Sequence, residues 1–455
     1  MDKNNRSNFS GKLGFVLAAA GSAVGLGNLW RFPYLAAKYG GGMFLLVYLI
    51  LAVTFGYALM IAEISIGRKT GLSAIGAFEK LNKKWSFVGY LGALVPMIIL
   101  PYYCVIGGWV GKFLSLYASG NGSLAASTNE EGVAYFLEFF ALPTEPLVWF
   151  GLFLAITAVV VIAGVDKGIE TASKVMMPVL VLLTIIISAM ILTMDGAIDG
   201  LIYYLKPNPA DFSAVTVLAA MGQLFFSLSL AMGIMITYGS YMKKDVSIDA
   251  SVKQIEVFDC AIAFLAGLMI IPAVFVAGEQ ANIKAGPSLM FIVLPKVFEK
   301  MSAGGILGAV FFALVFLAAL TSSISLMEAV VSNIQDKTKC KRGVAIVATL
   351  GICLLVGVPS SLGHGPWAGV SIMGFNFLDF FDFISNSVMM PIVALLTCIV
   401  VGYVIKPSAI IDEVESVGTF GRKKLFVVMI KYICPIFIVA ILVSSVLQGL
   451  GIFSM

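Results

Sequence analysis

Charge is what this sequence has least of. Asp, Glu, Lys and Arg make up 12% of its 455 residues and hydrophobic residues 60%, against about 25% and 45–50% in an ordinary soluble domain. No water-soluble fold of this length covers so much apolar surface, which excludes a soluble globular protein. Histidine is almost missing: His364 is the only one, and its place in an expected outer loop argues against a histidine metal site. Six cysteines form no C-x-x-C pair and read as inert, membrane-packed thiols. Neither H-E-x-x-H, G-x-S-x-G nor G-x-x-x-x-G-K-[ST] occurs, so the common hydrolase and nucleotide chemistries find no footing. No filter-like loop recurs around a pore, which weakens a channel.

What is present is apolar length. A bilayer-crossing helix needs about 20 mostly apolar residues, and eleven such stretches follow one another: 12–38, 42–67, 86–116, 147–164, 168–194, 213–241, 254–278, 302–334, 343–359, 375–405 and 425–453. The expected fold class is an all-α polytopic membrane protein, one transmembrane domain over 1–455. Lys and Arg collect on alternate connections, among them Lys3, Arg6, Arg68, Lys83, Lys84, Lys243, Lys341 and Lys423. The positive-inside bias puts the N-terminus in the cytoplasm and the C-terminus outside. The net charge of +4 is thus a topology signal and gives no reason to propose nucleic acid. The polar start runs into a span too long for a signal-peptide core, so it is expected to be retained. Of the outer connections, 279–301 is apolar enough from Pro287 to Phe298 to form a re-entrant cap, and a surface hairpin suits it equally. Pro407 to Lys424 reads as a short interfacial helix.

Two spans are interrupted. The first carries Gly21-Ser22-Ala23-Val24-Gly25-Leu26-Gly27-Asn28 and the sixth Ser227-Leu228-Ser229-Leu230-Ala231-Met232-Gly233. Broken helices at corresponding places in two halves point to a repeat with a midplane site; that pattern comes from transporters that include the family named below, so it is not independent support. Unwound backbone in a membrane must find partners in protein, water or ligand. Freed carbonyls suit a cation, and freed amides at a new helix start suit a carboxylate. Gly21 and Gly25 equally form a G-x-x-x-G pair for close helix packing, and the pattern alone does not choose. Asn28, Ser227, Ser229, Thr321, Ser322 and Ser323 add neutral oxygens inside apolar spans, although a lone hydroxyl usually bonds its own helix. Acids and bases within spans are functional candidates by default: Arg31, Glu63, Asp259, Glu328, Asp379 and Asp382. Glu63 is expected to bond exposed amides near the break, and Glu328 stays unassigned.

The run Gly21 to Pro33, the following Gly40-Gly41-Gly42, Tyr102-Tyr103, Gln223 to Ser229, Thr321-Ser322-Ser323, and Glu63 with Gly67-Arg68 resemble the neurotransmitter:sodium symporter family. The likeness is greatest to its bacterial eleven-span amino-acid transporters and extends over essentially every span. It implies a five-plus-five inverted repeat, about 12–194 and 213–405, with helices 1 and 6 unwound at mid-membrane and an additional helix at about 425–453. It implies alternating access and cotransport of two Na+ ions with one substrate. The first sodium site would be Ala23, Asn28, Ser227, the substrate carboxylate and Asp259. The second would be Gly21, Val24 and Ala318 through carbonyls, with the Thr321 and Ser322 hydroxyls. Substrate would lie against Ala23, Gly25, Leu26, Gly27, Ile99, Tyr103, Phe226, Ser227, Ser229, Met232, Ser323 and Leu326. Arg31 with Asp382 would form an outer gate, and Arg6 with Asp336 an inner one supported by Phe9 and Tyr241.

Departures sharpen the expectation. Chloride-dependent relatives place a hydroxyl on the seventh span where this chain has Ala263, while Asp259 stands one turn earlier, where relatives often have Asn. A fixed carboxylate there supplies the negative charge that chloride otherwise brings, so no chloride requirement is expected. Monoamine carriers have an acid where this chain has Gly25, which leaves room for a substrate bringing its own carboxylate. Ile99, Phe226, Met232 and Leu326 would suit a hydrophobic or aromatic α-amino acid. Gly168 and Pro178, ten residues apart, resemble a pair that lets the fifth helix unwind; helix capping and a tolerated kink explain them equally. The resemblance further implies a multi-pass protein of a prokaryotic plasma (inner) membrane, a monomer or weak oligomer. A proton-coupled carrier and a non-transporting amino-acid sensor remain the alternatives.

Overall fold

The computed structural model describes residues 8–129, 133–278, 288–301 and 303–449. Among these, helices dominate, and the only β features are isolated bridges at Thr128–Ala134 and Ile372–Phe375. In chain order the principal helices are α1 (Lys12–Ala23), α2 (Gly27–Lys38), α3 (Gly42–Thr70), α4 (Lys83–Ala118), α5 (Glu145–Ile162) and α6 (Val165–Leu192). Then come α7 (Ala214–Ser227), α8 (Ile234–Ser240), α9 (Ile248–Val276), α10 (Gly304–Thr338), α11 (Arg342–Leu362), α12 (Phe377–Val404) and α13 (Lys423–Gly449). Nine of them are continuous and apolar enough to cross a membrane, and α1 with α2 forms a further pair bent by 51°. The stretch expected as a sixth span, 213–241, is two short helices, α7 and α8, separated by an unwound segment. The boundaries move by a few residues from those expected, most at α9, whose start is Ile248 because Ser247 caps it through the Ala250 amide.

Burial sorts the helices into an inner and an outer set. In α3 and α4, 72% and 78% of the most apolar window is covered by protein, against 33% in α11 and α13. The outer helices instead expose Val347, Leu355 and Ile436, side chains that only a lipid environment solvates at low free-energy cost. The inner helices approach closely where glycine removes the side chain. A Cβ on Gly67 of α3 would collide with the Ile236 carbonyl oxygen, and one on Gly239 of α8 with the Ile64 carbonyl oxygen. This reciprocal contact locks α8 against α3 and fixes where the unwound segment before it begins.

Short helices seal the two ends. Of the stretch Pro407 to Lys424, expected as one short interfacial helix, Lys406–Glu415 is helical and buries Pro407, Ile410, Ile411 and Val414. Arg68, with its side chain wholly enclosed, holds it by donating to Glu413 Oε1 at 2.8 Å while also reaching the Val246 carbonyl at 2.6 Å. Residues 288–301, expected as a re-entrant cap or equally a surface hairpin, are helical over Leu289–Val293 and Leu294–Glu299; Pro287 lies outside the described residues. His364 is not on the surface of its loop. It packs against Trp109 and Phe140, ring centroids 5.6 and 4.7 Å away, and this burial pushes its imidazole down to about 4.

Gly67→Ala is expected to destabilise the protein by about 1–3 kcal/mol through overpacking, read as a lower thermal unfolding midpoint in detergent. Gly151→Ala, on α5 with open space around the new methyl, is the matched control and should not lower it.

Candidate functional site

The break between α1 and α2 begins at Val24, whose backbone turns extended (φ −80°, ψ 100°) while its N–H still closes the last turn on the Ala20 carbonyl at 2.7 Å. The chain re-enters helix at Gly27 through a widened turn, Phe32 N–H reaching back five residues to the Gly27 carbonyl. In between, the Gly25 N–H meets Asn28 Oδ1 at 3.2 Å and the Leu26 N–H meets the Tyr103 hydroxyl at 3.3 Å. Both bonds are long for N–H···O, so both amides are available to a better acceptor. Glycine is required by space: a Cβ on Gly25 would lie 2.5 Å from Ser322 Oγ, and one on Gly27 2.5 Å from the Phe226 ring.

The second break follows α7. Ser229 (φ 52°), Ala231 (φ 59°) and Gly233 (φ 67°) all take left-handed backbone within five residues, which costs a non-glycine residue roughly 1–2 kcal/mol. Side chains from elsewhere hold it open. Ser229 Oγ donates to the Ser22 carbonyl at 2.9 Å, and the Ala231 N–H donates to Glu63 Oε1 at 2.7 Å. Glu63 therefore does what its position suggested, bonding an amide of the break from the middle of α3.

Between the two breaks lies a buried carboxylate. Asp259 of α9 is fully enclosed. Its Oδ1 accepts from Asn28 Nδ2 at 2.8 Å and Ser227 Oγ at 2.6 Å, and its Oδ2 from the Tyr48 hydroxyl at 2.7 Å. Tyr48 and Asn28 also reach Ser227 Oγ, at 3.1 and 3.0 Å. Four oxygen-bearing side chains from α2, α3, α7 and α9 thus share one point, with one carboxylate, several donors and, among the described residues, no protein cation bonded to it. A charge so placed is expensive unless an ion or strong hydrogen bonds offset it, and oxygen donors suit a hard cation. Asn28, Ser227 and Asp259 were expected; Tyr48 was not. Its only signal was a hydroxyl in an otherwise wholly apolar stretch, Gly42 to Leu51.

A second oxygen cluster joins α1 to α10. Ser322 Oγ donates to the Ser22 carbonyl at 3.2 Å and reaches the Val24 carbonyl at 3.5 Å, while Thr321 Oγ1 turns back onto the Ala318 carbonyl at 3.0 Å. Gly21 lies against Thr321, whose Cβ a methyl there would touch at 3.4 Å. The residues expected for a second cation, Gly21, Val24, Ala318, Thr321 and Ser322, are therefore neighbours, and every one of their oxygens is uncharged.

The two clusters flank a cavity lined by Ala23, Gly25, Gly27, Ile99, Tyr103, Phe226, Ser227, Ser229, Met232 and Leu326. Ser22, Ile234 and Ser322 line it as well, and none of these was expected as a substrate contact. Two expected contacts fall elsewhere. Leu26 contributes its amide rather than lining the cavity, and Ser323 turns away, its Oγ bonded to Thr157 of α5 at 2.9 Å and the Leu320 carbonyl at 2.9 Å. The reason is helical phase: Ser322 faces the break, and one residue is a rotation of about 100°.

Above the cavity, Arg31 and Asp382 do not form an ion pair within 4 Å. The guanidinium lies over Phe226, 5.7 Å from the ring centroid, and Asp382 is held by Asn386 at 2.6 Å and Tyr102 at 3.2 Å. Below it, Phe9 packs among Phe15, Tyr238 and Tyr241, its N–H on the Tyr241 carbonyl at 3.1 Å. Arg6 lies outside the described residues, so its pairing with Asp336 is not seen; Asp336 accepts from the Ser73 N–H at 2.7 Å and hydroxyl at 2.5 Å. Glu328, unassigned in the sequence, is bound by Tyr241 at 2.6 Å and by Arg342 at 2.5 Å.

Two interrupted helices enclosing a cavity and two oxygen clusters, within a bundle of long apolar helices, define a secondary transporter of the broken-helix kind. The chain belongs to the sodium:neurotransmitter symporter family, whose pattern it matches over residues 6–130 and 145–451. It is a multi-pass membrane protein and a sodium-dependent symporter, not an enzyme. It is 35% identical to the sodium-dependent transporter YhdH of Bacillus subtilis over 98% of this chain and 99% of that one. A sodium-dependent transporter of Haemophilus influenzae is 34% identical over 98% of this chain and 100% of that one. Among solved structures, that of MhsT in complex with L-phenylalanine superposes with a TM-score of 0.88 at 39% identity, covering 97% of this chain and all of that one.

Tyr48→Phe removes the hydroxyl that donates to Asp259 and adjoins Ser227 while keeping the ring. The half-saturating sodium concentration for transport should change by about fivefold or more, as loss of a charge-assisted hydrogen bond worth about 1.5–3 kcal/mol implies. An unchanged sodium dependence would remove Tyr48 from the site.

Proposed function

We propose that this protein imports a hydrophobic or aromatic α-amino acid by alternating access, coupled to two sodium ions and without a chloride requirement. The observation that carries the reading is the pairing of two weakly bonded backbone amides, at Gly25 and Leu26, with the buried Asp259 cluster beside them. The substrate carboxylate belongs at the Gly25 and Leu26 amides and the Tyr103 hydroxyl, next to an ion held by Ala23, Asn28, Ser227 and Asp259. Each partner then lowers the desolvation penalty of the other: the cation screens two carboxylates, and the carboxylate completes its oxygen shell. The second ion sits among neutral oxygens joining Gly21 and Val24 to Thr321 and Ser322, so its binding draws α1 toward α10.

Asp259 also carries the argument on chloride. Its charge is part of the fold and needs no soluble anion to balance the cation. For the side chain, Ile99, Phe226, Met232 and Leu326 present an apolar wall, and MhsT, at 39% identity, was solved with L-phenylalanine. We read α1 with α2, and α7 with α8, each as one broken span. That gives eleven spans, repeats over about 12–194 and 213–405, and an N-terminus in the cytoplasm of a prokaryotic plasma membrane.

Reconstitution into liposomes with a sodium gradient tests the whole reading. Apolar and aromatic amino acids should accumulate, and replacing chloride by gluconate should leave uptake within about twofold; loss of uptake without chloride overturns the anion assignment. Thr321→Ala with Ser322→Ala should abolish sodium-driven accumulation. Uptake that survives this double change and follows a proton gradient would identify a proton-coupled carrier, and binding without accumulation a sensor.

Gly168→Ala is a poor probe of the fifth-helix pair Gly168 and Pro178. A methyl at 168 would run into the Val160 carbonyl oxygen, disturbing the α5–α6 connection in every state. Pro178→Ala, inside α6, avoids that clash: slower sodium release would be the mark of functional unwinding, and an unchanged rate the mark of a tolerated kink.

A further inference from the structure

No Asp, Glu, Lys or Arg occurs between Arg342 and Asp379. The connection between α11 and α12, residues 363–376, therefore carries no formal charge at neutral pH, His364 being buried and pushed down to about 4. By contrast, the connection between α6 and α7 has Asp195, Asp199, Lys206 and Asp211. Nor does the uncharged loop fold its apolar side chains inward. Trp367, Val370 and Met373 are 41%, 49% and 60% exposed, and Pro366, Ala368 and Gly369 between them are exposed as well. One exposed apolar residue is ordinary, but a run of them without charge marks a surface that meets another apolar phase.

Much of the loop's backbone is paired from within. The Trp367 N–H donates to the Leu362 carbonyl at 2.9 Å, Ala368 to Gly365 at 3.0 Å and Val370 to Trp367 at 2.9 Å. Ile372 and Phe375 exchange both N–H···O bonds, at 2.9 and 3.0 Å, across Met373 (φ 55°) and Gly374 (φ 86°), the two left-handed residues that a tight hairpin turn of this kind requires. Peptide groups paired in this way leave water at low cost, which unpaired ones do not. Both ends of the loop are fixed, by His364 against Trp109 and Phe140 and by Phe375 stacked on Phe383 of α12, ring centroids 5.2 Å apart. The loop also follows directly on α11, whose outward face exposes Val347, Leu354 and Leu355 to lipid.

We propose that residues 366–373 form a membrane-anchoring loop, seated at the boundary of lipid headgroups and acyl chains where α11 and α12 emerge, with Trp367, Val370 and Met373 turned into the apolar layer. A lipid surface is the partner because the flanking spans begin and end the loop at membrane level, and because an indole suits that depth, its ring in the acyl region and its N–H toward the headgroups. Having no charge, the loop holds the bilayer without choosing the sign of its headgroups.

The test uses full-length protein in lipid nanodiscs, with the two partly exposed native cysteines, Cys260 and Cys340, changed to serine. Spin labels are placed at Val370→Cys and Met373→Cys, with Leu355→Cys as the lipid-facing reference and Lys341→Cys as the aqueous one. Power saturation then compares access by oxygen, which concentrates in the acyl region, with access by a water-soluble nickel chelate. The oxygen-to-nickel ratio at 370 and 373 should be at least about threefold that at 341, as interfacial seating implies. With the label at 373, Val370→Asp should return the ratio to the aqueous value, because a carboxylate there resists leaving water. A ratio at 370 and 373 equal to that at 341 overturns the proposal, and so does low access by both reagents, the sign of cover by a protein surface or a second copy of this chain. Should a labelled variant fail to fold, quenching by lipids brominated on their acyl chains decides the matter. The fluorescence lost in Trp367→Phe must then be quenched in the parent, and an unquenched Trp367 component overturns the proposal equally. Neither sodium nor substrate enters these measurements, so their outcome stands apart from the transport reading.

Discussion

The structure depends on the repair of broken backbone at membrane depth. Interrupting a helix there exposes N–H and C=O groups that lipid cannot satisfy, and this chain interrupts two. Several repairs come from distant elements: Glu63 of α3 takes the Ala231 amide, Ser229 returns to the Ser22 carbonyl, Tyr103 of α4 meets Leu26, and Gln223 Nε2 reaches the Gly27 carbonyl at 2.9 Å. The breaks are therefore held by the tertiary fold and would not exist in isolated segments. What the repairs leave over, two weakly bonded amides and a ring of oxygens, is the chemistry available for cargo.

Much of this was readable in advance, for physical reasons. Lipid makes apolar length the dominant signal, so span positions emerge to within a few residues. Glycines at 21, 25 and 27 and the serines from 227 announce the breaks because few other residues tolerate such crowding or left-handed backbone. The oxygen donors at Asn28, Ser227, Thr321 and Ser322 stand out against an apolar background. Their grouping rests on the family resemblance as much as on chemistry, since no spacing rule places residue 28 beside residue 259.

The rest was hidden because it depends on rotation and packing. Ser322 and Ser323 are equivalent as letters, and only the phase of α10 sends one to the break and the other to Thr157. Tyr48 looked like one more aromatic in a greasy helix until α9 brought a carboxylate to its hydroxyl. Arg31 and Asp382 carry opposite charge near one mouth, yet they are held apart by Phe226 on one side and by Asn386 with Tyr102 on the other. Glu328 acquired a role only when Arg342, at the start of the next helix, was seen to reach it. Short helices such as Ala74–Leu81 and Ala197–Leu205 escaped because eight or nine residues leave too little periodicity to separate from a polar loop.

One peripheral dimension has a consequence of its own. Helix α5 has 18 residues, roughly 27 Å at 1.5 Å per residue, while a typical hydrocarbon core is about 30 Å thick. It presents Val148, Leu152, Ile156 and Val159 outward along one stripe, and a short span of this kind is met by thinning of the bilayer or by snorkelling of flanking side chains. Its inner end is not free to adjust, because Arg342 donates to the Val161 carbonyl at 2.7 Å while also holding Glu328. Any strain the bilayer puts on this short helix is therefore passed to the Arg342 and Glu328 contacts at its end.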